Sequence, residues 1–233
     1  MATFALILPA AGRSTRFGAS RSKLLEALGG ASVISRALQP FLDHADCAKV
    51  VIPCGDAESI RAALRQPIDP RVEFCPGGET RAHSVLAALQ RVPSEAEWVA
   101  VHDGARPLVS RALIDRTLAA AREHGAAVPA MAVALTIKEA TGPLPARVQR
   151  TVPRQALWAM QTPQVMRRAD LLDAFARCPV PLDQMTDDVQ LLELAGREVW
   201  LVPGEESNLK VTSRMDLRLA ELWLERQGGS GGA

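Results

Sequence analysis

The loop that follows the first apolar run of the chain combines small residues with separated cations. Residues 10–12 are Ala-Ala-Gly, and the same loop carries Arg16 and Lys23. Alanine and glycine have almost no side chain, so backbone N–H groups at these positions can approach an anion closely while the cations add positive charge. The composition predicts a phosphate-binding loop, although an ordinary strand-to-helix loop with surface cations has the same local pattern.

Two familiar glycine loops that also follow a first strand do not fit this segment. A P-loop requires G-x-x-x-x-G-K-[ST], but Gly12 and Gly18 are spaced too widely and Ala19 stands where the lysine would be. A dinucleotide fingerprint requires G-x-G-x-x-G, which Ser14 and Arg16 interrupt. The loop is therefore a site of another kind, or no site.

A second glycine-rich segment, residues 76–84, comes just before a helical pattern. Gly77 and Gly78 can bring backbone amides against a base or a ribose, and Ser84 in the first turns of the helix can point the same way. This arrangement suits nucleotide recognition. The alternative is a glycine turn followed by a helix that Thr80 caps.

A third segment, residues 101–107, places a carboxylate beside an arginine at the end of a strand-like run. Asp103 can hold Mg²⁺ on phosphates, because Mg²⁺ prefers one or two carboxylates together with phosphate oxygens and water. Arg106 can bind a second anion, or it can pair with Asp103 as a structural ion pair. The sequence leaves both roles of Arg106 open.

The remaining candidates are isolated cations. Arg154 and Lys210 lie far apart in the sequence, and most isolated Lys and Arg residues are solvated surface charge. The four histidines have no metal-ligand spacing, and no Ser-His-Asp arrangement is recognisable. Covalent catalysis by a protein nucleophile is therefore not expected.

The elements that must position these segments alternate between two kinds. The strand-like runs are 4–8, 49–53, 71–75, 98–102 and 126–133, and the helical patterns are 33–42, 58–64, 80–91 and 112–124. This alternation predicts an α/β fold, a single Rossmann-like domain in which helices flank both faces of a mostly parallel sheet. Ligands bind beyond the carboxyl ends of such strands, where the candidate loops lie.

The end of the chain contributes a few further elements. A helix with acids in its first turn follows Thr186, a strand is expected at 198–202, and a C-terminal helix begins with a capping box formed by Ser213 and Asp216.

Residues about 137–153 are interpreted as a protruding β-arm, because a Gly-Pro-Leu-Pro stretch lies between two β-compatible runs. An arm with little apolar surface is expected to pack on a partner subunit, and the alternative is a flexible surface excursion. The domain is expected to span 1–226, with a flexible Gly/Ser-rich tail at 227–233.

Composition excludes several classes of protein. The 233 residues include 27 basic and 26 acidic side chains, so there is no overall field to favour nucleic acid or an anionic membrane. The four cysteines form no C-x-x-C pair, which suits reduced thiols. No apolar run is long enough to cross a bilayer. We expect a cytoplasmic protein with neither nucleic-acid nor membrane partners.

Six motifs occur in order along nearly the whole chain. They are LPAAG with Arg16 and Lys23, GGETR with Ser84, HDGARP at 102–107, TPQ at 162–164, TDD at 186–188 and NLKVT at 208–212. Each is weak alone, but the set resembles the 2-C-methyl-D-erythritol 4-phosphate cytidylyltransferase family.

The resemblance implies a nucleotidyltransferase of nonmevalonate isoprenoid biosynthesis, which joins CTP to the phosphate of methylerythritol phosphate and releases pyrophosphate. It also implies Mg²⁺ or another divalent cation, and a homodimer with exchanged arms. By position, it assigns catalytic roles to Arg16, Lys23, Arg154 and Lys210, nucleotide contacts to Ala10, Ala11, Gly12, Gly77, Gly78, Glu79, Ser84 and Gly104, substrate contacts to Arg106, Thr136, Arg154, Thr186 and Lys210, and the metal to Asp103.

Within this resemblance, Arg16 and Lys23 are expected to stabilise the pentavalent phosphorus during in-line attack. Arg154 and Lys210 are expected to position the sugar phosphate, and Thr136 and Arg154 of the arm are expected to reach the site of the neighbouring subunit.

The chain departs from the family pattern at Ser14, Thr15, Ser22 and Gly104. None of these departures removes an expected functional side chain, so an active enzyme is predicted. Two alternatives are a cytidylyltransferase that acts on ribitol 5-phosphate and a nonenzymatic CTP-binding module. The length after Arg226 is expected to exclude a fused cyclase.

Overall fold

The computed structural model describes residues 3–12, 17 and 22–229. Its main sheet has eight strands, and two small two-stranded sheets lie beside it. The strands are β1 (Phe4–Ile7), β2 (Ala27–Leu28), β3 (Ala31–Ser32), β4 (Cys47–Cys54), β5 (Val72–Pro76), β6 (Trp98–Val101), β7 (Ala126–Ala132), β8 (Ile137–Ala140), β9 (Val148–Val152), β10 (Trp158–Met160), β11 (Gln164–Arg167) and β12 (Trp200–Pro203).

The helices alternate with these strands over most of the chain. They are α1 (Val33–Leu42), α2 (Ala57–Ala63), α3 (Arg81–Leu89), α4 (Arg111–His124), α5 (Arg168–Ala176), α6 (Val189–Leu194) and α7 (Arg214–Gly229), with short 3₁₀ turns at Lys23–Leu25 and Leu182–Gln184.

β1 lies inside the sheet, and the order of the strands reverses beside it. β1 pairs in parallel with β4 on one side and with β6 on the other, and β5 extends the sheet beyond β4. β11 pairs antiparallel with both β6 and β7, β10 continues along β7, and β12 pairs in parallel with β7. The order in which strands are added to the sheet therefore reverses between β1 and β6. This reversal opens a crevice beyond the carboxyl ends of these two parallel strands.

Apolar clusters cover both faces of the sheet. Phe4 and Leu6 face one cluster with α1, α2, α4 and α7, whereas Ala5 and Ile7 face the other with α3, α5 and α6. All four side chains are fully buried. A strand covered on both faces is apolar at every position, which explains why β1 shows no polar alternation.

The β-arm comprises residues 134–156, between β7 and β10, and contains a separate antiparallel hairpin of β8 and β9 with Ile137 opposite Val152. The hairpin leaves the sheet after β7 and returns to it at β10, and the amide of Val133 donates to the carbonyl of Leu157 at 3.2 Å. Most of the arm is exposed, including Leu144. The expected hairpin is present, and its packing on a second subunit stays a prediction.

The predicted mostly parallel sheet flanked by helices is confirmed, and the C-terminal helix begins as expected. The amide of Asp216 donates to Ser213 Oγ at 3.2 Å, and the amide of Ser213 donates to Asp216 Oδ2 at 2.7 Å. The sequence had indicated no elements for β10, β11 and α5. In the described part of the chain, no helix has both the length and the apolar character required to cross a membrane.

Candidate functional site

The loops after β1, β4, β5 and β6 surround a cavity of about 660 Å³ at the carboxyl edge of the sheet. Backbone pairing continues past the strands into these loops. The amide of Ala10 donates to the carbonyl of Pro53 at 2.8 Å, and the amide of Gly77 donates to the carbonyl of Cys54 at 3.0 Å. The walls of the cavity are therefore fixed directly to the buried sheet.

Two glycines form the wall that follows β5, and both are required by close approach. A Cβ atom at Gly77 would lie 2.4 Å from Cβ of Ala11, and a Cβ atom at Gly78 would lie 2.4 Å from Cβ of His83. Such distances are far inside van der Waals contact. The loops after β1 and β5 can approach each other this closely only because position 77 lacks a side chain.

Ser84, which the sequence predicts to point toward the ligand, also holds this wall in place. Ser84 Oγ accepts a hydrogen bond from the amide of Gly78 at 3.0 Å and donates to the carbonyl of Thr80 at 3.0 Å. Thr80 caps α3 by accepting from the amide of His83 at 3.3 Å. The expected N-cap is thus present, and it coexists with a cavity wall made of glycine backbone.

The only carboxylate that the third segment contributes is surrounded by cations. Lys210 Nζ lies 2.9 Å from Asp103 Oδ2, Arg106 Nε lies 3.5 Å from the same oxygen, and Arg81 Nε lies 3.6 Å from Asp103 Oδ1. Burial alone would raise the pKa of the Asp103 carboxyl, but the three cations outweigh it and hold that pKa well below the ordinary value. Asp103 is therefore ionised at neutral pH.

Arg81 is fixed in the cavity wall by a second carboxylate. Its Nη1 lies 2.6 Å from Oδ2 of Asp188, a side chain that is 1% exposed. Gln164 Oε1 holds the start of α6 by accepting from the amides of Asp188 at 3.0 Å and Val189 at 3.3 Å. Removal of Asp188 would leave Arg81 with only its longer contact to Asp103.

Arg106 connects the loop after β6 to the segment that carries Lys210. Its Nη1 donates to the carbonyl of Asn208 at 2.7 Å, and the amide of Val211 donates to the carbonyl of Ala105 at 2.8 Å. The guanidinium is almost fully buried. The sequence left two roles open for Arg106, and these contacts favour the structural ion pair with Asp103.

Most of the expected nucleotide contacts come together around the cavity. Those that line it are Ala11, Gly12, Gly77, Gly78, Glu79, Ser84 and Gly104, together with Lys23, Asp103 and Lys210. Ala10 is buried beneath them in its pairing with Cys54. At Gly104 a Cβ atom would meet Ile34 and Pro9 no closer than 3.6 Å, so an alanine would also fit there.

The other expected residues lie elsewhere or fall outside the described part of the chain. Thr136, Arg154 and Thr186 are exposed, and none of them is among the described residues that line the cavity. Arg154 Nη1 donates to the carbonyl of Ala134 in the arm, and Thr186 Oγ1 lies 3.0 Å from Gln190 Oε1. Arg16 is outside the described residues.

Sequence reasoning assigned no role to Arg81, Asp188 and Phe17. Arg81 and Phe17 line the cavity, and Phe17 also packs under the guanidinium of Arg214, 5.7 Å from the ring centroid. The signal for Arg81 was its place at the start of a helix that follows the glycines. Asp188 lies in the TDD motif, but nothing in the sequence indicated its pairing with Arg81, because the two residues are more than a hundred positions apart.

A cation-rich cavity at the switch point of an open sheet defines an α/β protein that binds phosphorylated ligands there. The family model of IspD, 2-C-methyl-D-erythritol 4-phosphate cytidylyltransferase, matches residues 4–226. The chain belongs to this family.

Individual relatives agree with this assignment. The enzyme of that name from Bacillus velezensis is 39% identical over 97% of this chain and 98% of its own length, and the one from Gloeobacter violaceus is 42% identical over 95% and 96%. The crystal structure of 4-diphosphocytidyl-2C-methyl-D-erythritol synthase from Anaerococcus prevotii superposes with a TM-score of 0.81 at 27% identity, covering 97% of this chain and all of the other. The ribitol 5-phosphate alternative is not favoured by these matches.

Proposed function

We propose that this protein transfers CMP from CTP to 2-C-methyl-D-erythritol 4-phosphate, in isoprenoid precursor biosynthesis, through the residues grouped around Asp103. The observation that carries the assignment of roles is the set of three cations around one ionised carboxylate inside the cavity. A triphosphate and a sugar phosphate are both anions, and a site that must bring them together needs an excess of positive charge.

The nucleotide is placed against the glycine-lined wall. Ala10, Ala11 and Gly12 offer backbone amides on one side, and Gly77, Gly78 and Glu79 offer main chain and a carboxylate on the other. Ser84 positions the amide of Gly78 rather than approaching the base through an unsatisfied hydroxyl. Gly104 forms the floor between β1 and β6, where the base or ribose has room.

A divalent cation is proposed at Asp103, the ionised carboxylate that lines the cavity. Mg²⁺ takes one or two carboxylates with phosphate oxygens and water completing its octahedron. Among the residues described, no group of three or more His, Cys, Asp or Glu side chains could hold a metal, so most ligands would come from the triphosphate. Bound there, Mg²⁺ or another divalent cation would neutralise charge on the phosphates.

The chemistry requires position and charge rather than a protein nucleophile. A phosphate oxygen of the acceptor attacks the α-phosphorus of CTP in line, a new P–O bond forms, and the bond to the bridging oxygen breaks as pyrophosphate leaves. Lys23, which lines the cavity, and Arg16 of the same loop stabilise the added negative charge at the α-phosphorus.

The acceptor is proposed to bind at Lys210, which lines the cavity and whose Nζ lies 2.9 Å from Asp103 Oδ2. Arg154, Thr136 and Thr186 are its other proposed contacts, and Arg106 supports the site by holding the segment of Lys210. Because Thr136 and Arg154 belong to an exposed arm, we propose that the protein is a homodimer in which the arm reaches the cavity of the partner subunit. We also propose a cytoplasmic location, which the free thiols of its four cysteines support.

One assay tests the activity and the acceptor together. Pyrophosphate release is measured with CTP and Mg²⁺ while methylerythritol phosphate or ribitol 5-phosphate is supplied at equal concentration. We expect turnover that depends on CTP, Mg²⁺ and methylerythritol phosphate. Faster turnover of ribitol 5-phosphate would reverse the choice of acceptor, and an absence of release with both would leave a CTP-binding module.

A further inference from the structure

A second cavity, of about 1000 Å³, lies between α1, α7 and the end of α2. Its apolar walls include Leu25, Leu64, Leu108, Val109 and Leu224. No described residue lines both this cavity and the first one, which surrounds Asp103. A concave site with mostly apolar walls and a few polar groups is the usual form of a small-molecule pocket. The proposed reaction makes no use of this space.

The charged side chains that line the second cavity are both arginines, and no described Asp or Glu lines it. Arg36 Nε donates to the carbonyl of Leu28 at 2.5 Å, and its Nη2 donates to the carbonyl of Gly29. Arg65 is exposed, and neither arginine forms an ion pair with a described residue. Their positive charge is not offset by a carboxylate, so the cavity favours an anion.

A buried serine adds a hydrogen-bonding group to the second cavity. Ser35, in the first turn of α1, lines the cavity and is 8% exposed. Its amide donates to Ser32 Oγ at 3.1 Å, but its own hydroxyl has no hydrogen-bond partner in the part of the chain that the structure describes. Buried polar groups are nearly always hydrogen-bonded, and a ligand in the cavity would supply the partner.

Segments of the chain that carry proposed site residues separate the two cavities. Lys23 lines the first cavity, and Leu25, in the same 3₁₀ turn, lines the second. Lys210 lines the first cavity, and Ser207, in the same segment, lines the second. Pro107 of the loop after β6 also lines the second. A ligand in the second cavity therefore lies against the segments that position both lysines.

We propose that the second cavity is a regulatory site for an amphipathic anion, a molecule with an apolar body and one phosphate or carboxylate group. The apolar body packs against Leu108 and Leu224, and the anionic group pairs with Arg65. Occupancy is expected to lower turnover, because small displacements of catalytic groups are costly. This effect on turnover rests on the proposed function, whereas the binding does not.

Octyl phosphate is the probe, and its binding is measured by isothermal titration calorimetry below its micelle-forming concentration. Octanoate carries the other anionic group, octyltrimethylammonium carries the opposite charge, and inorganic phosphate lacks the apolar chain. We expect an octyl anion to bind at a single site, about tenfold or more tightly than octyltrimethylammonium or inorganic phosphate. Tighter binding of octyl phosphate than of octanoate assigns the ligand to phosphates, and the reverse order assigns it to carboxylates.

Two charge reversals locate the bound probe. Arg65→Glu is expected to weaken octyl phosphate binding by about tenfold or more, because attraction becomes repulsion. Arg61→Glu is the matched control with the same change of net charge. Arg61 is also exposed, lies four residues earlier and is not among the described residues that line the second cavity. Equal affinity of wild type and Arg65→Glu for the probe would overturn the proposal.

Titration with CTP and Mg²⁺ distinguishes the two cavities. Coupling between separate sites is reciprocal and limited, so the affinity for octyl phosphate should level off as CTP is raised. An affinity that keeps falling would place the probe in the first cavity and refute the second site. Saturating octyl phosphate should lower turnover by about threefold or more in wild type and in Arg61→Glu. Unchanged turnover would remove the regulatory role, whereas probe binding by a protein without turnover would refute the proposed function alone.

Discussion

The glycine-lined wall of the cavity and the β-arm are built in opposite ways. Ala10 and Gly77 in the wall bond to the backbone of neighbouring strands, and the wall stands on fully buried residues of β1. Arg154 in the arm is exposed, and its side chain donates to the carbonyl of Ala134. The wall borders a cavity within a single folded chain, whereas Arg154 and Thr136 are not among the described residues that line this cavity.

The difference concerns the entropy of positioning. Backbone amides fixed to a sheet need no ordering when a ligand arrives, so the wall is preorganised. Exposed arginine and threonine side chains on a hairpin must be ordered on binding, unless a second subunit already packs against them. Under the proposed roles, the preorganised wall binds the nucleotide and the arm determines the choice of acceptor.

The largest effect is expected at Lys23, which lies in the loop after β1 and lines the cavity. Lys23→Ala should lower kcat by about 10²–10³, since it removes charge that acts at the α-phosphorus, while CTP affinity changes much less. Steady-state kinetics and CTP titration measure the two quantities. Lys49→Ala is the control, because Lys49 pairs with Glu73 at 2.7 Å and does not line the cavity. A kcat equal to wild type for Lys23→Ala would exclude the proposed role.

Hybrid dimers test whether the arm serves the partner. Arg154→Ala should raise KM for the acceptor by about tenfold or more, since it removes a charged contact to phosphate. At acceptor concentrations well below KM, where sites without Arg154 are nearly silent, co-expression of Lys23→Ala chains with Arg154→Ala chains should give about a quarter of wild-type activity, because half of the dimers then contain one intact site. If the arm serves its own subunit, no hybrid site is intact and activity stays low. A light-scattering mass confirms that dimers form.

Two glycine variants test how tightly the wall is packed. Gly77→Ala should lower the free energy of unfolding by about 1–3 kcal/mol and weaken CTP binding, because its Cβ would collide with Ala11. Gly104→Ala should change the same quantity by no more than about 0.5 kcal/mol, since the added methyl has ordinary contacts. Urea unfolding measures both. Equal stability of the two variants would contradict the close approach of the loops.

The smallest effect concerns acid. Burial and the charge of Arg111 lower the pKa of His44 below 6.5, although Asp115 opposes them. At this residue the unfolded chain then binds more protons than the folded chain just below pH 6.5, so His44 should lower the free energy of unfolding as the pH falls from that value, by at most about 1.4 kcal/mol per pH unit. His44→Gln should flatten this slope in urea titrations at several pH values. A slope that is unchanged in the variant would assign the effect to other groups.

The sequence was sufficient to predict the wall of the cavity, but not the distant residues that support the wall. β1 and the loop at 10–12 are contiguous in sequence, so an apolar run followed by small residues indicates both the strand and the site. Asp103 was predictable for the same reason. Local patterns thus identify groups that a strand delivers to the edge of the sheet.

Contacts between distant segments have no local pattern. Asp188 meets Arg81, and Thr162 meets Asp103, only because β11 inserts antiparallel between β6 and β7, an arrangement that the β-α alternation did not indicate. Short strands such as β10 and β11 are too brief for a periodicity to be recognised. Local patterns also do not indicate whether Arg154 and Thr136 act at the cavity of their own chain or, in the proposed homodimer, at that of the partner subunit.

The arm begins and ends at adjacent points of the sheet, where Val133 bonds to Leu157. An insertion with joined ends can change in length or sequence without shifting the strands on either side, because closing a longer loop adds little entropy. Under the roles proposed for Thr136 and Arg154, acceptor preference is separable from the residues that bind the nucleotide. Replacing residues 134–156 as a block offers a route to redirect this enzyme to another sugar phosphate while the CTP-facing framework is left untouched.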